Sequence, residues 1–281
     1  MSNADPGDYT VTDWLEISAH DAPLIVTFPH TGTDIPAEIE AKLVSPWLGR
    51  KDCDWWIDKL YGFAAGLGAT TVRTAVSRTV IDVNRDPSGA SLYPGQATTA
   101  LCPTTCFEGE PLYHSGAEPD AAEIERRKRI WFAPYHGAIQ REIDRLLYLH
   151  GRVVLFDAHS IRSRISRLFD GELPHINIGT NSGKACAPEL VDHIAQICGA
   201  TAFTYVVDGR FKGGWTTRHY GQPDQHVHAV QIELAQRGYL REPSIPPSPK
   251  NWPVDFDEAY AAPMQAALTD TLEACLRFAR S

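Results

Sequence analysis

Short β-branched, apolar runs alternate with longer stretches of helical spacing along all 281 residues, and that alternation leaves few architectures open. Leu24–Pro29, Thr70–Thr74, Thr79–Val83, Val153–Asp157, His175–Gly179, Ala202–Val207 and Val227–Leu234 read as strands. Between them, "DWWIDKLYGFAAGLG" sets Trp56, Leu60, Phe63, Ala64 and Leu67 at helical spacing and stops at glycine. Glu118–Leu149 is a long amphipathic stretch, and Pro134 should kink or split it because proline removes a backbone donor. "APELVDHIAQICG" and "DEAYAAPMQAALTDTLEACLRFAR" complete the helices. Such alternation packs as an α/β fold around a mixed or mostly parallel sheet, in which ligands gather at the carboxyl ends of strands.

Two of those strand ends carry histidine, in "LIVTFPHTG" (His30) and "LFDAHSIRS" (His159). A lone histidine there is usually structural, but a pair raises the prospect of a shared metal. Imidazole is the commonest protein metal ligand, and a catalytic zinc takes three protein ligands plus water. Asp157 is placed to orient an imidazole from behind. For a third ligand, "KDCDWWID" offers Asp52, Asp54 and Asp58; Asp52 suits an N-cap, which leaves Asp54 free to point elsewhere. His226 and His228 form a second possible pair, ranked lower because their stretch reads as a solvent-side turn.

Other features read as anion-binding or basic. In "SRTVIDVNRDP", Arg78 and Arg85 form a fork for a carboxylate, or solvated rim residues, with Asn84 as a neutral donor. In "FKGGWTTRHYGQP", Gly213 and Gly214 permit positive φ or close approach to the backbone, and Arg218 follows. Glu233 interrupts the apolar strand "AVQIELAQRGYL"; a carboxylate there is a general base beside a metal or half of a buried salt bridge. The Gly- and Pro-rich segment from Asp86 to Pro119 is a loop long enough to be functional.

Composition excludes several classes. Hydrophobic residues make up 43% and the net charge is -9, which argues against nucleic-acid binding and disorder. The six cysteines lack a CxxC pair, so reduced thiols are expected rather than a disulfide framework or cysteine-bound zinc. The first residues show no signal-peptide pattern and no apolar run reaches membrane-spanning length, so a cytoplasmic protein without membrane contact is expected. No linker is evident, and residues 1–281 read as a single catalytic domain.

Taken in order, "PLIVTFPHTGTDIP", "DCDWWIDKLY", "SRTVIDVNRDPSG", "LYPGQATT", "VVLFDAHSI", "LPHINIGTNSG", "GGWTTRHYGQP" and "QIELAQRGYL" resemble the N-formylglutamate amidohydrolase family over nearly the whole chain. The resemblance implies a three-layer α/β/α fold with a mixed central sheet, of the zinc-exopeptidase (phosphorylase/hydrolase-like) type. It implies Zn2+ or another divalent transition metal on His30 and His159, a carboxylate-holding Asn84–Arg85 pair, and Glu233 as catalytic glutamate. In the related aspartoacylase-like enzymes the second ligand is a Glu three residues after the first His; Thr33 stands there, and Asp54 is the substitute. The implied reaction is hydrolysis of N-formyl-L-glutamate to formate and L-glutamate in histidine breakdown, with Arg78, Arg85 or Arg218 gripping a small anionic N-acyl amino acid. Other expectations are a deacylase or carboxypeptidase acting on another N-acyl amino acid, and a metal-free binding homologue. A monomer or small homo-oligomer is expected.

Overall fold

A computed structural model describes residues 13–281 of the chain; the N-terminal stretch read for a signal sequence lies largely outside them. Seven strands form one mixed sheet: β1 (Leu15–Ser18), β2 (Leu24–Phe28), β3 (Thr70–Thr74), β4 (Val153–Ile161), β5 (Ile176–Gly179), β6 (Tyr205–Val207) and β7 (Val227–Ala235). Their order is β1-β3-β2-β4-β7-β5-β6. The central four, β3-β2-β4-β7, run parallel; β1 is antiparallel to β3, and β5 to β7.

The two faces of the sheet bury different layers because side chains alternate along a strand. Leu24, Val26 and Phe28, with Val154, Phe156 and Ala158 and Val230, Ile232 and Leu234, face α2 (Ile57–Leu60), α5 (Pro188–Gly199) and α7 (Glu258–Arg280). Ile25, Val153, Leu155, Val227 and Ala229 face α1 (Ala37–Glu40), α3 (Ala121–Arg127) and α4 (Ala133–His150), through residues such as Ile39, Tyr135, Ile139 and Ile143. This is the three-layer α/β/α arrangement. On the second face the apolar series stops halfway up: Val153 and Leu155 give way to Asp157 and His159, and Val227 and Ala229 to Gln231 and Glu233. Core and polar half thus share one face, the polar half at the carboxyl ends.

Several expectations change. Thr79–Val83 is not a strand; Val80, Ile81 and Val83 are buried in a turn-rich segment held by Asp82 N–H donating to Leu101 O (2.7 Å). Apolar, β-branched composition reports burial here, not extension. The helix expected from Asp54 breaks into the single turn α2 and a 3₁₀ turn at Ala64–Leu67. Trp56, in left-handed conformation (φ 60°), precedes it, its indole N–H donating to Val254 O (2.8 Å). Asp52 caps nothing: it accepts from Phe107 N–H and pairs with Arg162. The stretch around Pro134 divides into α3, a π-helical turn at Lys128–Phe132 and α4, with Pro134 in the first turn of α4, where a missing backbone donor costs little. Strand β1 and helix α6 (Trp215–Tyr220) were not expected. The long loop carries no helix or strand, all six cysteines are buried free thiols, and no described helix is long and apolar enough to cross a membrane.

The exit of β2 is fixed by contact between backbones. A Cβ on Gly32 would sit 2.3 Å from Ala75 C and 2.5 Å from Val76 O, and the Asp34 N–H bond to Ala75 O (2.8 Å) prevents retreat. Gly32→Ala should therefore lower stability by about 1–3 kcal/mol through overpacking. A thermal melt checks it; an unchanged midpoint would show that the loop yields freely.

Candidate active site

Parallel pairing sets the site. In the β4–β7 register Asp157 lies opposite Gln231 and His159 opposite Glu233, while β2 brings Thr27 beside Asp157. His159 is an internal residue of β4, not its terminus. His30 lies two residues beyond β2, and Asp54 is drawn in by its backbone N–H donating to His30 O (2.9 Å).

Three ligand atoms converge. His30 Nδ1 and His159 Nδ1 are 3.1 Å apart, and Asp54 Oδ2 lies 3.2 Å from His159 Nδ1 and 3.8 Å from His30 Nδ1. Donors on a tetrahedral ion with ~2.0–2.2 Å bonds stand roughly 3.3–3.5 Å apart. Each ring's other nitrogen meets a carboxylate, His30 Nε2 at Asp82 Oδ1 (2.7 Å) and His159 Nε2 at Asp157 Oδ2 (2.9 Å). Imidazoles donating backwards in this way present Nδ1 lone pairs forwards, as metal-binding histidines do. Asp54 Oδ1 is buried without a hydrogen-bond partner among the described residues. The donor set therefore fits a divalent transition ion. A second acidic group, Asp52, Cys106 and Glu108, is already neutralised by Lys51 and Arg162.

The surrounding charges are unbalanced. Asp54, Asp82, Asp157 and Glu233 are all buried. Against them stand Arg78, 2.7 Å from Asp82 and 3.6 Å from Asp54, and Arg85, 3.7 Å from Asp82. Burial and the charge of Arg78 lower the pKa of His30. Burial works against protonation of His159 too, but Asp157 and Asp54 overcome it and raise its pKa well above the usual value. Burial, reinforced by Asp54 and opposed by His159, lifts Glu233 to about 7. Gln231 Nε2 donates to Glu233 Oε2 (3.1 Å) and is itself aimed by Gly214 N–H (2.7 Å).

These groups line a cavity of about 550 Å³, mouth included, that is walled by His30, His159 and Glu233 with Arg78, Asn84, Arg85, Arg210 and Gly214, and closed by Tyr93 and Thr99 of the long loop. Asn84 reaches the cavity with its amide committed: Nδ2 donates to Asp157 Oδ2 (2.8 Å) and Oδ1 accepts from Thr216 N–H (2.8 Å). Gly214 is required here, since a Cβ would lie 2.5 Å from the Asn84 amide. Gly213, at φ +104°, and Arg218 stand behind the wall rather than in it; Arg218 Nε donates to Gly213 O and its guanidinium lies over Tyr93. His226 is exposed while His228 is buried and accepts from Ala187 N–H, so they form no metal pair. Asp82, Gln231 and Arg210 were missed. Asp82 carried the signal that exposed Glu233, a carboxylate inside an apolar run; Arg210 sits in a loop with none.

The family model for N-formylglutamate amidohydrolase matches residues 22–240. An N-formylglutamate deformylase of Pseudomonas putida is 45% identical over 256 residues, 90% of this chain and 92% of that protein. One from Pseudomonas aeruginosa is 44% identical over 259 residues, 92% and 94% of the two chains. The crystal structure of N-formylglutamate amidohydrolase from Ralstonia eutropha JMP134 has the same fold, with a TM-score of 0.75 at 22% identity over 95% of this chain and 98% of that one. A gene product of Agrobacterium tumefaciens superposes with a TM-score of 0.70 at 18% identity, covering 95% and 96%. The chain is an amidohydrolase and belongs to the N-formylglutamate amidohydrolase family.

Proposed function

We propose that this chain hydrolyses N-formyl-L-glutamate to formate and L-glutamate at a divalent transition ion, zinc in the first instance, held by His30, Asp54 and His159. The observation that carries the reading is the convergence of two Nδ1 atoms and Asp54 Oδ2 within 3.8 Å beside buried Glu233. The names of the Pseudomonas relatives support the substrate. When bound, such an ion supplies Lewis acidity, polarising a carbonyl and lowering the pKa of water toward about 7.

The chain's own groups do the rest. Glu233, opposite His159 across β4 and β7, takes the proton of the attacking water and returns it to the amide nitrogen as the C–N bond breaks. Formate and a free amino group result. Gln231 holds one carboxylate oxygen of Glu233 and thereby aims the other. Asp82 and Asp157 fix the two imidazoles. Arg85 reaches the cavity from a Thr99 anchor (3.1 and 3.2 Å) and offers its charge to a substrate carboxylate. Arg78 is paired with Asp82 at 2.7 Å and lies 3.6 Å from Asp54; against burial, the charges of His30, Arg85 and Arg78 together hold the Asp82 carboxyl well below the usual range.

Three outcomes follow. Formate release from N-formyl-L-glutamate should exceed that from N-acetyl-L-aspartate and N-formyl neutral amino acids, stop with chelator and return with zinc. Full activity at less than about a tenth of an equivalent of metal would overturn the metal assignment.

Glu233→Gln should cut kcat by at least about 10²-fold while leaving bound zinc unchanged. Because the base must be ionised, wild-type kcat/KM should fall at acid pH, at a point below the metal-free value of about 7 because the ion's charge favours the carboxylate, and an acid limb that persists unchanged in the residual activity of Glu233→Gln removes Glu233 from that role. The same raised pKa has a sign for stability: the folded state holds the proton more tightly than the unfolded, so the contribution of Glu233 is fully present below about 4.5, is lost as pH rises from there to about 7, and stays lost above. Metal-free Glu233→Gln should therefore match wild type near pH 4 and exceed it at pH 8, by on the order of 1–3 kcal/mol.

Asp82→Asn replaces the charged acceptor behind His30 Nε2 with a neutral amide, weakening the bond that turns Nδ1 toward the ion, and zinc affinity should drop about 10–100-fold. Competition with a chromogenic chelator measures it; unaltered affinity would place the metal elsewhere.

A further inference from the structure

Three guanidinium groups line the cavity, and their partners differ in kind. Arg78 and Arg85 lie within 4 Å of the carboxylate of Asp82, which in turn holds His30. Arg210 has no carboxylate at ion-pair distance among the described residues. Its Nε donates to Leu168 O (2.7 Å) and its Nη2 to Ala97 O (2.8 Å), both neutral acceptors. A guanidinium carries five N–H donors in a rigid fork, so these two bonds set its orientation and leave others for a guest. Tyr93 and Phe211 stand against it, with centroids 5.5 and 5.3 Å from its central carbon. Burial and nearby Arg85 pull its pKa down, the mark of a cation short of counter-charge.

We infer that Arg210 is the specificity residue of this cavity, the group that reads the side-chain carboxylate of the substrate. The inference rests on the deformylase reading and deepens it. Arg85 is committed to the acids around the ion and is placed for the carboxylate nearer the scissile amide. Arg210 is anchored by Ala97 of the long loop, two residues from the Thr99 anchor of Arg85, and by Leu168, and has charge to spare. A dianionic guest would satisfy both guanidinium groups. A neutral side chain of the same shape would leave Arg210 desolvated and unpaired, a penalty that rejects it.

N-formyl-L-glutamine, isosteric but neutral, makes the comparison. Wild type should favour N-formyl-L-glutamate over it by about 10²-fold in kcat/KM, the worth of a charge-assisted contact. Arg210→Gln should bring the two substrates to within about threefold of each other, through a higher KM for the dianion and a lower KM for the glutamine substrate, which no longer faces an unpaired guanidinium. Arg210→Lys should recover part of the preference, since it restores charge without the fork. If Arg210 only staples loops, Arg210→Gln will depress both substrates alike and lower the melting temperature; that result, or an unchanged ratio, overturns the inference.

Calorimetry of L-glutamate and L-glutamine on the zinc-loaded protein separates the two readings. Arg210-dependent preference for L-glutamate in a protein that releases no formate would support the role of Arg210 and remove the deformylase reading alone. Equal affinity of wild type for the two amino acids overturns the role of Arg210 whatever the activity.

Discussion

Four carboxylates buried around two imidazoles make a charge problem that the fold does not solve with its own cations. Arg78 and Arg85 offset part of the charge of Asp82 and Asp54, but Asp157 and Glu233 have no guanidinium at ion-pair distance among the described residues. Uncompensated burial of several acids is costly enough that something must give. Without an ion, protons supply the missing charge: His159 is held protonated and Glu233 takes up a proton near neutrality. On the proposed reading a divalent ion between the Nδ1 atoms would displace such protons, tying metal affinity to pH. Chemistry at this site is the alternative use of a compensation the structure requires anyway.

The sheet delivers that arrangement through register. Parallel pairing of β4 with β7 sets His159 opposite Glu233, so the proposed ligand and the proposed base are neighbours by backbone hydrogen bonding alone. Period-two alternation then stacks Asp157 below His159 and Gln231 below Glu233, giving each working residue its support from two positions earlier on its own strand. A slip by one residue would swap these four for the apolar residues of the other face. The hydrophobic lower halves of the same strands make that slip expensive, so the core that stabilises the sheet also indexes the site.

Much of this was legible because it is written in alternation. Glu233 exposed itself as a polar residue alternating with apolar ones in a strand, whereas His159 was read as a histidine at a strand end and Asp157 as the residue placed to orient it. His30 and Asp54 were accessible from their chemistry and from a strand end, although Asp52 was misread as a cap because a helix was expected to begin where the chain instead turns through Trp56. The segment with Asp82 and Asn84 was legible in composition but not in conformation: Val80, Ile81 and Val83 are as buried as a strand, and only the pairing of Asp82 N–H with the Leu101 carbonyl shows that they are not one. Asn84 was assigned to the substrate, yet its amide is spent on Asp157 and Thr216. Arg210 and Arg218 could not be ranked from sequence, because which guanidinium meets a cavity depends on long-range loop packing that has no local period.

The charge layout also orders events on the proposed reading. The floor of the cavity is acidic while one wall is basic, so a dianion meets attraction from Arg85 and Arg210 and repulsion from Asp54 and Glu233. In a low-dielectric site those opposing terms are large individually. Adding two positive charges to the floor removes the repulsion without touching the wall. Metal loading and anion binding are then thermodynamically linked, each raising the affinity of the other by the same factor. The protein need not move for this to hold, since both partners act through a field set by side chains already locked by hydrogen bonds. A cavity so constituted rejects anions until it carries its ion, and rejects neutral molecules once it does.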